Sequence, residues 1–326
     1  MLFKRLTMLA AAAALALALP VGAAHAENTK MTIGTGVDPS FSTYFIAKTN
    51  GIFDKNGLDV TLNTGPSGSA MVAFVIQNQF QSAFGAEQAG IQNTAMDPNV
   101  VVIAEGAKMS EWYGVVARDG IKSLEDLKGK NIGVARGSAS EVFWLALVNE
   151  YKLDPKDYNI IQVESPEMVA ALERGNIDAF LSWEPWLTRA TKAIKGSSVI
   201  KVSDGIIDPR VYLYINKQWA EENPEAAKAF MKSLVEANDY ISANPADAAK
   251  QVAEFLKLDP EMTASMMSKI RYKAVLDNGS LGNIIKAEQQ LKQLGKLAKP
   301  VNWEVYIYPD LIKAVSPDVV NYELPK

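Results

Sequence analysis

The sequence predicts an α/β protein built from two similar, doubly wound lobes that face one another. Three observations carry this reading. Thr32-Ile33-Gly34, running on to Tyr44-Phe45-Ile46-Ala47, is echoed by Asn131-Ile132-Gly133, running on to Phe143-Trp144-Leu145-Ala146, an offset of 131 − 32 = 99. Met71-Val72-Ala73, leading to Glu87, is echoed by Met168-Val169-Ala170, leading to Glu184, at 168 − 71 = 97. Both stretches read strand, turn, helix, and repetition of such a unit produces two related α/β layers. Any βα unit shares part of this pattern, so the duplication itself is an expectation. In open α/β sheets, ligands sit beyond the carboxyl ends of the strands. The matching loops are residues 36–42 with 135–141, and Glu87 with Glu184; facing lobes would place a cleft between them.

The chain opens on a targeting segment. Lys4 and Arg5 precede an apolar run at residues 8–19, Pro20 and Gly22 break it, and Ala24-His25-Ala26 fits the small-residue rule for cleavage after Ala26. The run is too short to span a bilayer. An exported, periplasmic protein is the expectation, and about 300 residues remain, enough for two modest domains. The chain has no cysteine, which excludes disulfides, thiol chemistry and a lipidated cysteine. Its only histidine, His25, lies in the signal, so histidine-based triads and histidine-ligated zinc are excluded from the remainder. Removing two basic signal residues leaves a charge of 31 − 37 = −6. No basic stripe is present, so nucleic acid is not an expected partner.

Residues 31–36 read as a first strand and 43–55 as a helix ended by Gly57, with an alternating second strand at 58–62. Gly65-Pro66-Ser67-Gly68-Ser69 is a turn whose Ser69 is placed to cap a helix over 70–78. Residues 81–86 and 100–105 are short strands, and 112–118 an extended run into the second lobe. There, Ser123-Leu124-Glu125-Asp126 resembles a capping box closed by Gly129. A strand at 131–135, an apolar helix at 140–151 and a strand at 160–163 follow. Ser165-Pro166-Glu167 starts a helix ending at Gly175, with Pro in the first turn, where a missing N–H is harmless. A strand at 179–183 ends in Glu184-Pro185-Trp186, and an extended run at 211–216 is the expected return crossing. Residues 217–298 read as helical throughout, with starts near Pro224, Pro245, Pro260 and Ser280, packed back on the first lobe. Two crossings make a hinge, and with it rigid-body closure.

The motifs Gly51-Ile52-Phe53-Asp54-Lys55-Asn56-Gly57-Leu58-Asp59-Val60, Ser123-Leu124-Glu125-Asp126-Leu127-Lys128-Gly129-Lys130 and Ile132-Gly133-Val134 resemble a known family. Gly137-Ser138-Ala139-Ser140, Arg174-Gly175-Asn176-Ile177-Asp178-Ala179 and Trp183-Glu184-Pro185-Trp186 complete the set. Together they resemble the periplasmic solute-binding proteins of ABC importers, in the sulfonate, taurine and nitrate branch, whose superfamily includes pyrimidine-synthase-like proteins. The resemblance implies a type II periplasmic binding fold with a two-strand hinge, lobe I at 27–115 with 216–326 and lobe II at 116–215. It further implies an extracytoplasmic substrate-binding component, monomeric, without cofactor or metal, whose partners are a small-molecule ligand, an ABC permease and its ATPase. Glu141 departs from the aromatic or His common at its position, and Arg136 and Arg118 are the only nearby candidates for an anion clamp. Both departures argue against a simple inorganic anion.

The expected ligand contacts follow from the loops. Gly137, Ser138 and Ser140, with Glu141, precede a helix whose free N–H groups would receive an anionic group; an ordinary Ser cap is the alternative. Ser40 and Ser69 repeat this in the other lobe. Glu87 and Glu184 would face a ligand amine or the opposite lobe, the alternative for Glu184 being a helix cap. Trp112, Trp183 and Tyr212, with Phe41 and Tyr44, would form aromatic walls, the alternative being core or hinge packing. Trp144, Trp186, Met266 and Met267 read as core. The first function reading is capture of a small organic solute, with a sulfonate such as taurine ahead of a purely cationic or thiamine-pyrimidine-type ligand. An enzyme of the same fold is the alternative, and the superfamily's synthase chemistry relies on the histidine this chain lacks.

Overall fold

The computed structural model describes residues 27–94, 97–293, 295–297 and 299–325. The expected signal segment, residues 1–26, lies outside them.

β1 (Thr29–Thr35) alternates exposed Lys30 with buried Met31 and Ile33, the period-two pattern of a strand. The helix expected over 43–55 is interrupted. α1 (Ser42–Thr49) stops because Gly51 takes a left-handed φ of 64°, and the chain restarts as α2 (Ile52–Lys55). β2 (Leu58–Thr64) follows, then α3 (Gly68–Ile76), β3 (Ser82–Gly85), α4 (Glu87–Thr94) and β4 (Val100–Met109). The α3 cap is Ser67, not the expected Ser69: its hydroxyl accepts the Ala70 N–H at 3.2 Å. Next come β5 (Tyr113–Ala117), β6 (Asn131–Val134), α5 (Ala139–Glu150), β7 (Asn159–Gln162), α6 (Met168–Glu173), β8 (Ala179–Trp183), α7 (Trp186–Ala193) and β9 (Ser198–Val202).

The return strand β10 (Arg210–Asn216) leads into α8 (Lys217–Glu222), α9 (Pro224–Ala243), α10 (Pro245–Leu256) and α11 (Pro260–Met267). Prolines open three of these at the first helical position, where no N–H is needed. The reading of this tail as wholly helical is corrected by β11 (Ile270–Asp277). There Ile270, Tyr272 and Ala274 point inward while Arg271 and Lys273 are exposed. Period-two alternation with basic residues at the outer positions wins over a helix-rich context because β4 offers an open sheet edge. α12 (Asn278–Gln293), α13 (Trp303–Tyr306), α14 (Asp310–Val315) and β12 (Val320–Asn321) complete the chain.

The strands form a seven-stranded sheet, ordered β12-β11-β4-β10-β3-β1-β2, and a five-stranded sheet, ordered β7-β6-β8-β5-β9. β1 runs parallel to β2 and β3, and β6 parallel to β7 and β8. β10 is antiparallel to β3 and β4, as β5 is to β8 and β9. The run β4-β10-β3-β1-β2 therefore repeats as β9-β5-β8-β6-β7. Ile33 pairs with Ser82, and Ile132 with Ala179, so the register repeats at 132 − 33 = 99 and 179 − 82 = 97. These are the offsets seen in the sequence.

The chain leaves the larger sheet after Met109 and re-enters it at Arg210. The two crossing segments lie side by side: Met109 N–H donates to Pro209 O at 2.9 Å, and Ser203 N–H to Tyr113 O at 3.0 Å. The boundary expected at 115/116 falls inside β5. That at 215/216 falls at the end of β10, which the pairing of Tyr212 with Gly85 and of Leu213 with Phe84 assigns to the larger sheet. α9 packs on α1, α2 and β11, with the Phe230 and Tyr44 rings stacked at 6.1 Å. Trp144, Trp186, Met266 and Met267 are buried. Among the described residues no helix is long and apolar enough to cross a membrane.

Candidate functional site

Carboxyl ends of strands from both sheets meet around a cavity of about 40 Å³. The larger sheet contributes Asp38, Ser40 and Phe41 from the loop after β1, residues 67–69 at the start of α3, and Gly85, Ala86 and Gln88 at the β3–α4 junction. The smaller contributes Trp112 and Tyr113 at the start of β5, Ser138 and Ala139 at the start of α5, and Trp183 at the end of β8; Met109 and Val211 close the wall at the crossings. Two helices therefore begin at one cavity from opposite sides. Ser67 caps α3, and Ser138 caps α5 through the Ser140 N–H at 3.2 Å. The N–H groups of Gly68, Ser69 and Ala139 lie in first turns, where a helix supplies no acceptor of its own. Such helix starts carry partial positive charge and receive anionic groups. Position 68 has to be glycine, because a Cβ there would lie 2.4 Å from Phe84 O and 2.5 Å from Gly85 Cα.

The opposite chemistry comes from Asp38. Its Oδ1 accepts the Ser40 N–H at 2.9 Å and the Ser40 hydroxyl at 2.6 Å, and its Oδ2 accepts Trp183 Nε1–H at 3.1 Å. Burial pushes this carboxyl up to about 6, against the lowering effect of those bonds. Behind the wall, burial pushes Glu87 up to about 7, with Arg210 opposing, and its Oε2 has no partner among the described residues. Burial, reinforced by the charges of Glu87 and Asp38, raises the Tyr113 hydroxyl. Among the described residues no lysine or arginine lines the cavity. Of the two arginines considered as clamps, Arg118 pairs with Asp178 at 3.4 Å, and Arg136 is exposed and outside the lining. The cavity thus has an N–H-rich pole and one carboxylate, and can hold an anion and a cation side by side.

The fold agrees with the comparison to known proteins. A model of the NMT1-like family matches residues 24–257. The chain belongs to that family. A taurine-binding periplasmic protein of Escherichia coli (strain K12) is 27% identical over 309 residues, covering 92% of this chain and 88% of that protein. Among solved structures, the alkanesulfonate-binding protein of Xanthomonas axonopodis pv. citri bound to MOPS aligns with a TM-score of 0.77 at 15% identity, over 87% of this chain and 99% of the other. The periplasmic nitrate-binding protein of Synechocystis PCC 6803 aligns with a TM-score of 0.70 at 15% identity, over 90% and 86%. These likenesses establish the two-lobed periplasmic binding fold for this member of the NMT1-like family.

Of the expected contacts, Ser40, Phe41, Ser69, Trp112, Ser138 and Trp183 line the cavity. The other seven lie outside the lining, each for a physical reason. Tyr44 is core, its ring edge-on to Phe84 at 5.1 Å and its hydroxyl near Ser82. The Ser140 hydroxyl donates to Leu181 O at 2.6 Å and accepts the Ala135 N–H at 3.1 Å, tying α5 to β6 and β8. Gly137 serves its turn with a φ of 74°, and its N–H goes to Glu141 Oε2 at 2.9 Å. Glu141 also pairs with Lys296, from the segment after α12. Glu184 caps α7 through the Thr188 N–H at 3.1 Å and hydroxyl at 3.0 Å, which is the alternative the sequence offered. The Tyr212 hydroxyl donates to Ser280 O at 2.9 Å or Asn283 Oδ1 at 2.8 Å. Glu87 is one layer behind the wall. Sequence reasoning missed Asp38 and Gln88. Asp38-Pro39-Ser40 carries the signature of an Asx turn, which would have marked the first; nothing local marks the second.

Proposed function

We propose that this chain is the extracytoplasmic substrate-binding component of an ABC importer, and that it captures a small organic solute in the cavity between its two lobes. The lobes are taken as the two sheets with their helices, joined by the crossing segments at 110–112 and 203–209. The best-supported solute is a sulfonate carrying an amine, such as taurine. The observation that carries this reading is the convergence of two helix starts and the Asp38 carboxylate on one cavity that no lysine or arginine among the described residues lines. The N–H groups of Gly68, Ser69 and Ala139 would hold the sulfonate, Asp38 the ammonium, and Trp112 and Trp183 the carbon chain. Closure desolvates these contacts and strengthens them. The taurine-binding relative and the alkanesulfonate-binding structural neighbour support the same class of solute. An ABC permease and its ATPase would be the partners, the protein would be exported after cleavage at Ala26, and no covalent chemistry is assigned to the cavity.

The buried carboxylates of Asp38 and Glu87 favour one second reading, an amine or pyrimidine-type cation without a sulfonate. Calorimetric titration of the protein lacking residues 1–26 separates the two. Taurine is expected to bind, with ethanesulfonate, ethylamine and nitrate each weaker by tenfold or more. Ethylamine equal to or tighter than taurine would shift the assignment to a cation, and turnover of any of these solutes would remove the binding-protein reading.

A further inference from the structure

We infer that Gln88 is a specificity-determining residue that bonds the solute directly, an assignment that rests on the solute site proposed above. Gln88 stands in the first turn of α4 and lines the cavity. It is 1% exposed, and neither its Nε2 nor its Oε1 has a hydrogen-bond partner among the described residues. Buried amides in folded proteins almost always have partners, and an unpaired one weighs against the folded state. Gln88 also borders a larger groove of about 510 Å³ between α5 and α12, and both of its amide atoms are closed to bulk solvent. On this assignment the two polar atoms are paired by a solute held in the cavity that Gln88 lines.

Its neighbours indicate what that partner carries. A Cβ on Gly85 would meet the Gly68 carbonyl carbon at 3.1 Å, so the start of α4 sits beside the start of α3. Gln88 accordingly stands on the N–H-rich side of the cavity, next to Gly68 and Ser69. A glutamine amide supplies both a donor and an acceptor. Nε2–H complements an anionic oxygen at the helix start, and Oε1 complements an N–H or O–H of the same molecule. The solute class is an organic anion that also bears a hydrogen-bond donor, an aminoalkyl or hydroxyalkyl sulfonate. A plain alkyl sulfonate leaves Oε1 unpaired, and sites with unpaired buried polar groups discriminate strongly against analogues that cannot bond them.

The test is Gln88→Met, which keeps the volume and removes both polar atoms, read in two ways on the protein lacking residues 1–26. Calorimetric titration with taurine, isethionate and ethanesulfonate should show at least a tenfold loss for the first two and a smaller loss for the third. Thermal melting without solute should show a midpoint unchanged or raised, because an unpaired amide has left the interior. Equal affinities of variant and wild type for all three solutes would overturn the assignment. So would a midpoint lowered by more than about 5 °C without solute, which would reveal a structural partner for the amide. If the wild type binds none of the three, the sulfonate reading of the cavity fails by itself. In that case a solute-free midpoint lowered by more than about 5 °C still overturns the assignment.

Discussion

Trp183 Nε1–H donates to Asp38 Oδ2 at 3.1 Å, and this single bond joins the end of β8 in one sheet to the loop after β1 in the other, directly at the cavity. In the proposed function the carboxylate would serve both the contact between the sheets and the solute. Its second oxygen is already occupied by Ser40, so the Asp38 head is fixed in place before a ligand arrives. Asp38→Asn keeps an oxygen for Trp183, removes the charge and turns an NH2 toward Ser40 in place of the second acceptor. The expected outcome is a loss of about tenfold or more in affinity for taurine, equal to about 1.4 kcal/mol, with ethanesulfonate affected less. Isothermal calorimetry checks this, and an equal loss for both sulfonates would show that the charge serves the fold alone.

Asp38 titrates near 6 in the folded chain against an ordinary 3.8, and Glu87 near 7 against 4.5. Both carboxyls hold their protons more tightly folded than unfolded. The stability they contribute is complete below their unfolded values and is lost as pH rises through 6 and 7. Each accounts for at most about 3 kcal/mol. The solute-free protein should therefore melt at a higher temperature at pH 5 than at pH 7.5, and the difference should shrink in Asp38→Asn and Glu87→Gln. Affinity for an amine-bearing solute runs the other way, falling as pH drops through about 6 and Asp38 takes up a proton. A melting temperature that climbs steadily over this range in the wild type would contradict the assignment.

The duplicated architecture was legible because it is written in local patterns. The offsets of 99 and 97 between the echoed motifs are the register offsets of Ile33 with Ile132 and of Ser82 with Ala179. The site was half legible. Ser69, Ser138, Trp112 and Trp183 lie at strand and helix ends that a sequence pattern can place. What the pattern does not contain is the direction of a side chain at such an end. Ser140, two residues from Ser138, points to Leu181 O, and Glu184 turns onto Thr188. Asp38 and Gln88 stayed hidden because their importance comes from what lies across from them, Trp183 in one case and the lack of any partner in the other. β11 was hidden because it is one short strand inside a long run of helices, and its outer Arg271 and Lys273 are residue types common in helices too.

Ser140 offers a control that separates fold from binding. Its hydroxyl satisfies a backbone acceptor on β8 and a backbone donor after β6, both buried. Ser140→Ala leaves Leu181 O and the Ala135 N–H without this partner, at an expected cost of about 1–3 kcal/mol. Denaturant titration should show this loss, while the dissociation constant for taurine changes less than about threefold once the protein is folded, under a kcal/mol. A large change in affinity with unaltered stability would place Ser140 at the solute after all.

The Glu141–Lys296 pair links the start of α5 to the segment after α12, beside the groove that those two helices form. Lys296 is about one-third exposed, so water and salt weaken the attraction, and pairs of this kind contribute at most about 1 kcal/mol. Glu141→Gln should leave the melting temperature within a few degrees of wild type. Its effect should fall on closure, because the pair can form only while the two elements are near each other. Small-angle scattering without solute is expected to show a larger radius of gyration for the variant, and for the wild type at 1 M salt, with taurine restoring the compact form of both. An unchanged radius in both conditions would mean that Asp38 and Trp183 hold the two sheets together without help from this pair.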